Sequence, residues 1–163
     1  MEEWHQRSTW GWKAMEYRRS RGMAVAVLLA AVLLTGCSTQ DQPGSENLSA
    51  FSSIDGVYEA VDQFLDCEAD PVGEPIVPMG ETGQLTSEQR LCSENVQVDL
   101  YPDKKSLQES YKIWADSSQG EVHLVWGKNW LVVDVTGAVT GEPTGWDIER
   151  LAEELNGEYA VVG

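Results

Sequence analysis

Few side chains in this chain could do chemistry beyond carrying charge. After residue 36 there are three cysteines, Cys37, Cys67 and Cys92, and one histidine, His123. Nucleophilic catalysis needs a nucleophile with a base in reach. No Gly-x-Ser-x-Gly elbow and no glycine-rich phosphate loop accompanies His123. Carboxylates are so abundant that no pair of them is diagnostic. A single histidine argues against zinc. The acidic run Asp55, Glu59, Asp62, Asp66, Glu68 and Asp70 lacks the ligand spacing of a calcium loop. The residues therefore predict neither an enzyme nor a metal or cofactor protein, and the chemistry to explain is that of the cysteines.

Cys37 stands at a boundary. Arg18, Arg19 and Arg21 precede a twelve-residue apolar run, Met23 to Leu34, which is followed by the small residues Thr35-Gly36 and then by Cys37. A positive n-region, an apolar core and a small-residue cleavage site make an export signal. Twelve helical residues reach about 18 Å, short of the roughly 30 Å bilayer core, which argues against a membrane-spanning helix. Leu34-Thr35-Gly36-Cys37 resembles the lipobox of bacterial lipoproteins. The resemblance implies that residues 1–36 are a removed signal peptide. It further implies that Cys37 becomes the lipidated N-terminus and that the rest sits outside the cell membrane. Membrane lipid is then a partner through acylated Cys37, since two acyl chains suffice for stable anchoring. Arg18-Arg19-Ser20-Arg21 is slightly similar to a twin-arginine signal, but general secretion fits its flank better. Residues 1–14, with Glu2, Glu3 and three tryptophans, are unusual in such a signal, so translation is expected to start at Met15.

Residues 37–163 hold 24 Asp and Glu against six Lys and Arg, a formal charge of −18. Such a chain is repelled by nucleic acid and by anionic headgroups. Cys67 and Cys92 form an even pair in an exported protein, which reads as a disulfide. The loop they close is worth roughly 3.5 kcal/mol in the chain-entropy model.

Composition and periodicity divide the remainder into a tether over 37–52, rich in Ser, Gln and Gly, and one α+β domain over 53–163. Ile54, Val57, Tyr58, Val61, Phe64 and Leu65 make one apolar stripe, predicting a helix over 53–66 with Ser52 and Asp55 as its capping pair. Residues 68–90, with three prolines and three glycines, read as a long loop. Residues 91–101 read as one strand: Cys92, Val96, Val98 and Leu100 share a core-facing parity, and Ser93, Asn95, Gln97 and Asp99 face away. Pro102-Asp103 ends it and caps a helix burying Leu107, Tyr111 and Trp114.

Residues 121–136 read as a hairpin. A type II′ turn at Gly127-Lys128 would pair Trp126 with Asn129 and Leu124 with Leu131. A three-residue loop would instead bring Asp134 onto the face of Val122 and Leu124. Thr144 and Asp147 resemble a capping box for a helix carrying Ile148, Leu151, Ala152 and Leu155, and Tyr159–Val162 form a last short strand.

From residue 91 the order is β-α-β-β-α-β, the ferredoxin-like split βαβ pattern, with an extra N-terminal helix stapled to it by one disulfide. Such a fold is expected to leave one sheet face open. That face would carry His123, Val125, Trp130, Val132 and Asp134, making His123, Val125, Trp130 and Val132 candidate partner-binding residues. The competing expectation is that helix 53–66 covers them. The function expected is that of a membrane-anchored, extracytoplasmic binding or interaction module. The alternatives are a superinfection-exclusion-type lipoprotein of a prophage, which the chain resembles only in anchor and size, and, less favoured, a small cell-envelope enzyme.

Overall fold

A computed structural model describes residues 47–163. Its elements run α1 (Ile54–Leu65), β1 (Met79–Gly80), β2 (Gly83–Gln84), β3 (Glu88–Ser93), β4 (Val96–Leu100), α2 (Lys104–Ala115), β5 (Val122–Trp126), β6 (Trp130–Asp134), α3 (Thr136–Thr140), α4 (Ile148–Glu154) and β7 (Glu158–Val162). The class is α+β, as expected. None of these helices is long and apolar enough to cross a membrane.

The three longer apolar stripes become helices with side-chain caps. Ser53, one residue later than expected, accepts the Gly56 amide at the start of α1. Asp103 accepts from Ser106 to start α2. Asp147 is itself the cap of α4, accepting from Arg150, while Thr144 accepts from Trp146. Each such cap satisfies an amide that has no partner within the helix and is worth about 1 kcal/mol.

Strands β3-β4-β6-β5-β7 form one five-stranded sheet, antiparallel throughout, and β1-β2 a small separate hairpin. The stretch expected as a single strand over 91–101 is two. The chain reverses at Glu94-Asn95, pairs Ser93 with Val96, and carries a bulge between Leu91 and Ser93. This reversal decides the topology. The neighbours β4-β6-β5 keep the order a split βαβ sheet would have, but β3 occupies the edge beside β4 where the last strand would lie. β7 pairs with β5 at the opposite edge instead.

The hairpin β5–β6 is also shifted. Trp126 pairs with Leu131 and Leu124 with Val133, so the tip is Lys128-Asn129. A shift of two residues preserves side-chain parity, so the faces are those expected although the partners are not.

Both faces of the sheet are covered. On one, α1 and α4 bury Ile54, Val57, Val61, Leu65, Ile148 and Leu151 against Val96, Val98, Val125, Trp130 and Val132. On the other, α2 packs Leu107 and Trp114 against Leu124, Trp126, Leu131 and Val133, joined by Leu48 and Leu85. The disulfide Cys67–Cys92 joins the end of α1 to β3. Beside it, the Glu68 amide donates to the Cys92 carbonyl at 2.8 Å.

Residues 47–52, which composition assigns to the tether, belong to the domain. Leu48 is buried. The Ser49 amide donates to the Asn156 carbonyl, and the Lys128 amide donates to Ser49. Asn129 at the hairpin tip clasps Phe51, its Oδ1 accepting the Phe51 amide and its Nδ2 donating to the Phe51 carbonyl.

Candidate functional site

The face expected to meet a partner is interior. Trp130, Val125 and Val132 have no exposed surface and lie beneath α1 and α4. The Trp130 indole N–H donates to Ser49, with Oγ at 3.2 Å and the carbonyl oxygen at 3.3 Å, and Phe51 meets the ring edge-on at 5.9 Å. The helix α1, Ile54–Leu65, covers this face because its apolar stripe must be buried somewhere, and the sheet face carrying Trp130 matches it. Gly127 is required by the same packing. A β-carbon there would collide with the Trp130 indole and the Ser49 carbonyl, so its role is close approach and not a turn conformation.

His123 is half-buried on this face. Its Nε2 lies 3.0 Å from Glu121 Oε1, and its Nδ1 is hydrogen-bonded to the Tyr159 hydroxyl at 2.6 Å. Burial, and the carboxylates of Glu149, Glu121 and Asp134, hold the Tyr159 phenol above its ordinary range. Asp134, opposite His123 in the ladder, takes the amide and hydroxyl of Thr136 on one oxygen.

A second polar cluster lies on the opposite sheet face, built from residues whose parity reads as outward. Gln89 and Asp99 are direct cross-strand partners on β3 and β4, with Gln97 and Tyr101 two residues to either side of Asp99. Gln97 Oε1 accepts the Ile76 amide at 2.8 Å and its Nε2 donates to the Ile76 carbonyl at 3.0 Å. The side-chain amide of one glutamine thus pairs with the backbone of Ile76 as a neighbouring strand would. Gln89 Nε2 donates to the same carbonyl at 2.9 Å. Both glutamines also donate to the Asp99 carboxylate, and Tyr101 Oη donates to it at 3.1 Å. With its proton committed there, Tyr101 accepts from Ser110 Oγ of α2 at 2.7 Å. Asp99, Ser110 and Gln97 are all buried. Desolvation pushes the Asp99 carboxyl up from 3.8 to about 6, and the donors from Gln89, Gln97 and Tyr101 oppose that rise. Burial, and then the neighbouring Asp99 charge, push the Tyr101 phenol above its ordinary range.

What this network holds is a loop with its apolar side chains outside. Val72, Ile76, Val77 and Met79 are 71, 48, 43 and 61 % exposed. Pro71, Pro75 and Pro78 restrict the backbone between them, and the disulfide fixes the base of the segment. The Ile76 backbone is turned inward onto glutamines, so its side chain is presented outward. Sequence reasoning read 68–90 as a long loop but missed its mooring. The available signal was Tyr101, an aromatic continuing the parity of Gln97 and Asp99, which marks that face as covered.

In chemical terms the arrangement displays apolar surface on a fixed backbone. Asp99 and Ser110 are enclosed and hydrogen-bonded within the protein, so neither faces a substrate. Among the described residues, no group of three His, Cys, Asp or Glu side chains is arranged to hold a metal ion. No family model, curated protein or solved structure matches this chain significantly, so geometry carries the functional reading.

Proposed function

We propose that this chain is a lipoprotein anchored through acylated Cys37 on the extracytoplasmic side of the cell membrane. Its α+β domain acts as a binding module, and the loop Val72–Met79 is the contact surface. One observation carries the binding reading: four large apolar side chains are exposed on a backbone that a buried hydrogen-bond network holds in place. Pre-ordered apolar surface binds with less entropic cost than a mobile loop. Cys37 lies eleven residues before Leu48. Even fully extended, that length keeps Leu48 within about 40 Å of the anchor, so the domain stays near the membrane.

Two experiments test the two halves. Cys37→Ser should abolish palmitate labelling and leave the precursor uncleaved; retained label removes the anchor. A photo-crosslinking residue at Val77 should give a defined adduct in cells, whereas one at Val139, more exposed than Val77 and placed on α3, should not. Equal labelling from both positions, or none from Val77, removes the loop as the contact surface.

A further inference from the structure

The charges carried by the apolar loop and its flanks are of one sign. From Asp66 to Glu88 the chain carries Asp66, Glu68, Asp70, Glu74, Glu81 and Glu88, all exposed, and not one Lys or Arg. Arg90, the next cation along the chain, is already engaged. Its guanidinium lies 3.0 Å from Asp55 and 3.8 Å from the centre of the Tyr58 ring. Glu109 of α2 reaches over from the neighbouring element and lies against Gly80. Apolar and acidic groups therefore alternate along one segment, with no basic group within it to neutralise them.

That combination selects a partner. An anionic membrane or an acidic protein would be repelled before the apolar side chains could touch it. A neutral apolar segment would meet the apolar side chains but gain nothing from the carboxylates around them. A segment carrying Lys or Arg beside apolar residues satisfies both sets of groups. Building on the binding reading above, we infer that the loop Val72–Met79 docks a basic, amphipathic peptide segment of a partner protein. The exposed apolar side chains form the centre of the contact. Glu68, Asp70, Glu74 and Glu81 form its charged rim, an arrangement in which rim charges set encounter rate and salt dependence while buried anchors set residence.

The test uses the mature chain in nanodiscs of zwitterionic lipid and three fluorescent probe peptides of equal length. One is built from Lys and Leu in an amphipathic helical pattern, one replaces its Leu by Ser, and one replaces its Lys by Glu. Binding is read by anisotropy at low and high salt, with empty nanodiscs as the blank. Two variants accompany the wild type: Ile76→Ser/Val77→Ser/Met79→Ser, and Glu68→Gln/Asp70→Asn/Glu74→Gln/Glu81→Gln. All the changed side chains are exposed, and circular dichroism and melting check that both variants stay folded.

The expected result is selective binding of the Lys/Leu peptide. It should weaken with salt and weaken about tenfold or more in the apolar variant. In the charge variant it should lose most of its salt dependence. Equal binding of the Lys/Ser peptide, unaffected by the apolar variant, would reduce the effect to general charge attraction and overturn the inference. Selective binding of the Glu/Leu peptide, abolished in the apolar variant, would overturn the basic partner while leaving the loop as the contact surface. No binding by any peptide would overturn both.

Discussion

Asp99 gives the sharpest quantitative test of the network beneath the loop. The carboxyl has no exposed surface, and desolvation raises it from 3.8 to about 6 despite three hydrogen-bond donors. A raised carboxyl binds its proton more tightly in the folded protein than in the unfolded chain. Stability from this group is therefore fully present only below about pH 3, where both states are protonated. It declines as pH rises through about 6, where the folded state must ionise a buried group. At 1.36 kcal/mol per pH unit the total decline is roughly 3 kcal/mol, reached by about pH 7. Nothing else in the cluster titrates there, because Gln89, Gln97 and Ser110 do not ionise and the Tyr101 phenol is held above its ordinary range.

The perturbation is Asp99→Asn, which keeps the shape and removes the proton equilibrium. Its amide group also faces donors from Gln89, Gln97 and Tyr101, which costs a fixed amount of stability that does not vary with pH. The raw profile of the wild type mixes Asp99 with carboxylates of the opposite sign. One is Asp103, held below its ordinary range by the Ser106 amide and hydroxyl. The quantity to measure is therefore the difference between wild type and variant, from urea unfolding at closely spaced values from pH 4 to 7.5. That difference should shift against the wild type by roughly 2–3 kcal/mol between pH 4 and 7. A difference that is flat over this range, or that moves in favour of the wild type as pH rises, would refute the reasoning.

Three further outcomes follow from the same packing. Trp130→Ala should cost about 3–5 kcal/mol in urea unfolding, because a fully buried indole between α1, α4 and the sheet is replaced by a cavity; a cost under about 1 kcal/mol would mean the face is not covered. Cys67 and Cys92 should resist alkylation until reduced, and replacing either should cost roughly 2–5 kcal/mol, read from the unfolding midpoint. Gly127→Ala should destabilise by more than the few tenths a solvent-facing turn would show, since its β-carbon meets the Trp130 ring and a carbonyl; unchanged melting would place Gly127 back in a simple turn.

The parts legible in the sequence are those with a long, clean period. The stripes of α1, α2 and α4 extend over enough turns to be unambiguous, and the shared parity of β5 and β6 survives a register error of two residues. Cys67 and Cys92 were each aimed inward by the periodicity of their own element, and they meet. The failures have local causes. Glu94-Asn95 contains neither Gly nor Pro, so nothing punctuates the reversal between β3 and β4, and the alternation reads straight through it. That single omission moved β7 to the wrong edge, because β3 had not been given the place beside β4. Leu48 and Phe51 lie in a polar stretch whose composition resembles a linker, but the open side of Trp130 gives Phe51 a surface to pack on.

The most consequential misreading concerns polarity itself. Gln97 and Asp99 alternate with valines, and on a half-exposed strand that pattern means solvent. Here it means a covered face whose cover is a loop rather than an element with its own apolar stripe. A loop brings backbone amides and carbonyls that must be paired once buried. Glutamine can pair both groups of one residue at once, as Gln97 does for Ile76, and a carboxylate beneath can accept the donors left over. An entirely apolar β4 could bury this loop only by orphaning the Ile76 backbone. Polar residues on a buried sheet face thus mark where irregular backbone is held down. In this chain, the backbone so held is the stretch that turns its apolar side chains toward solvent.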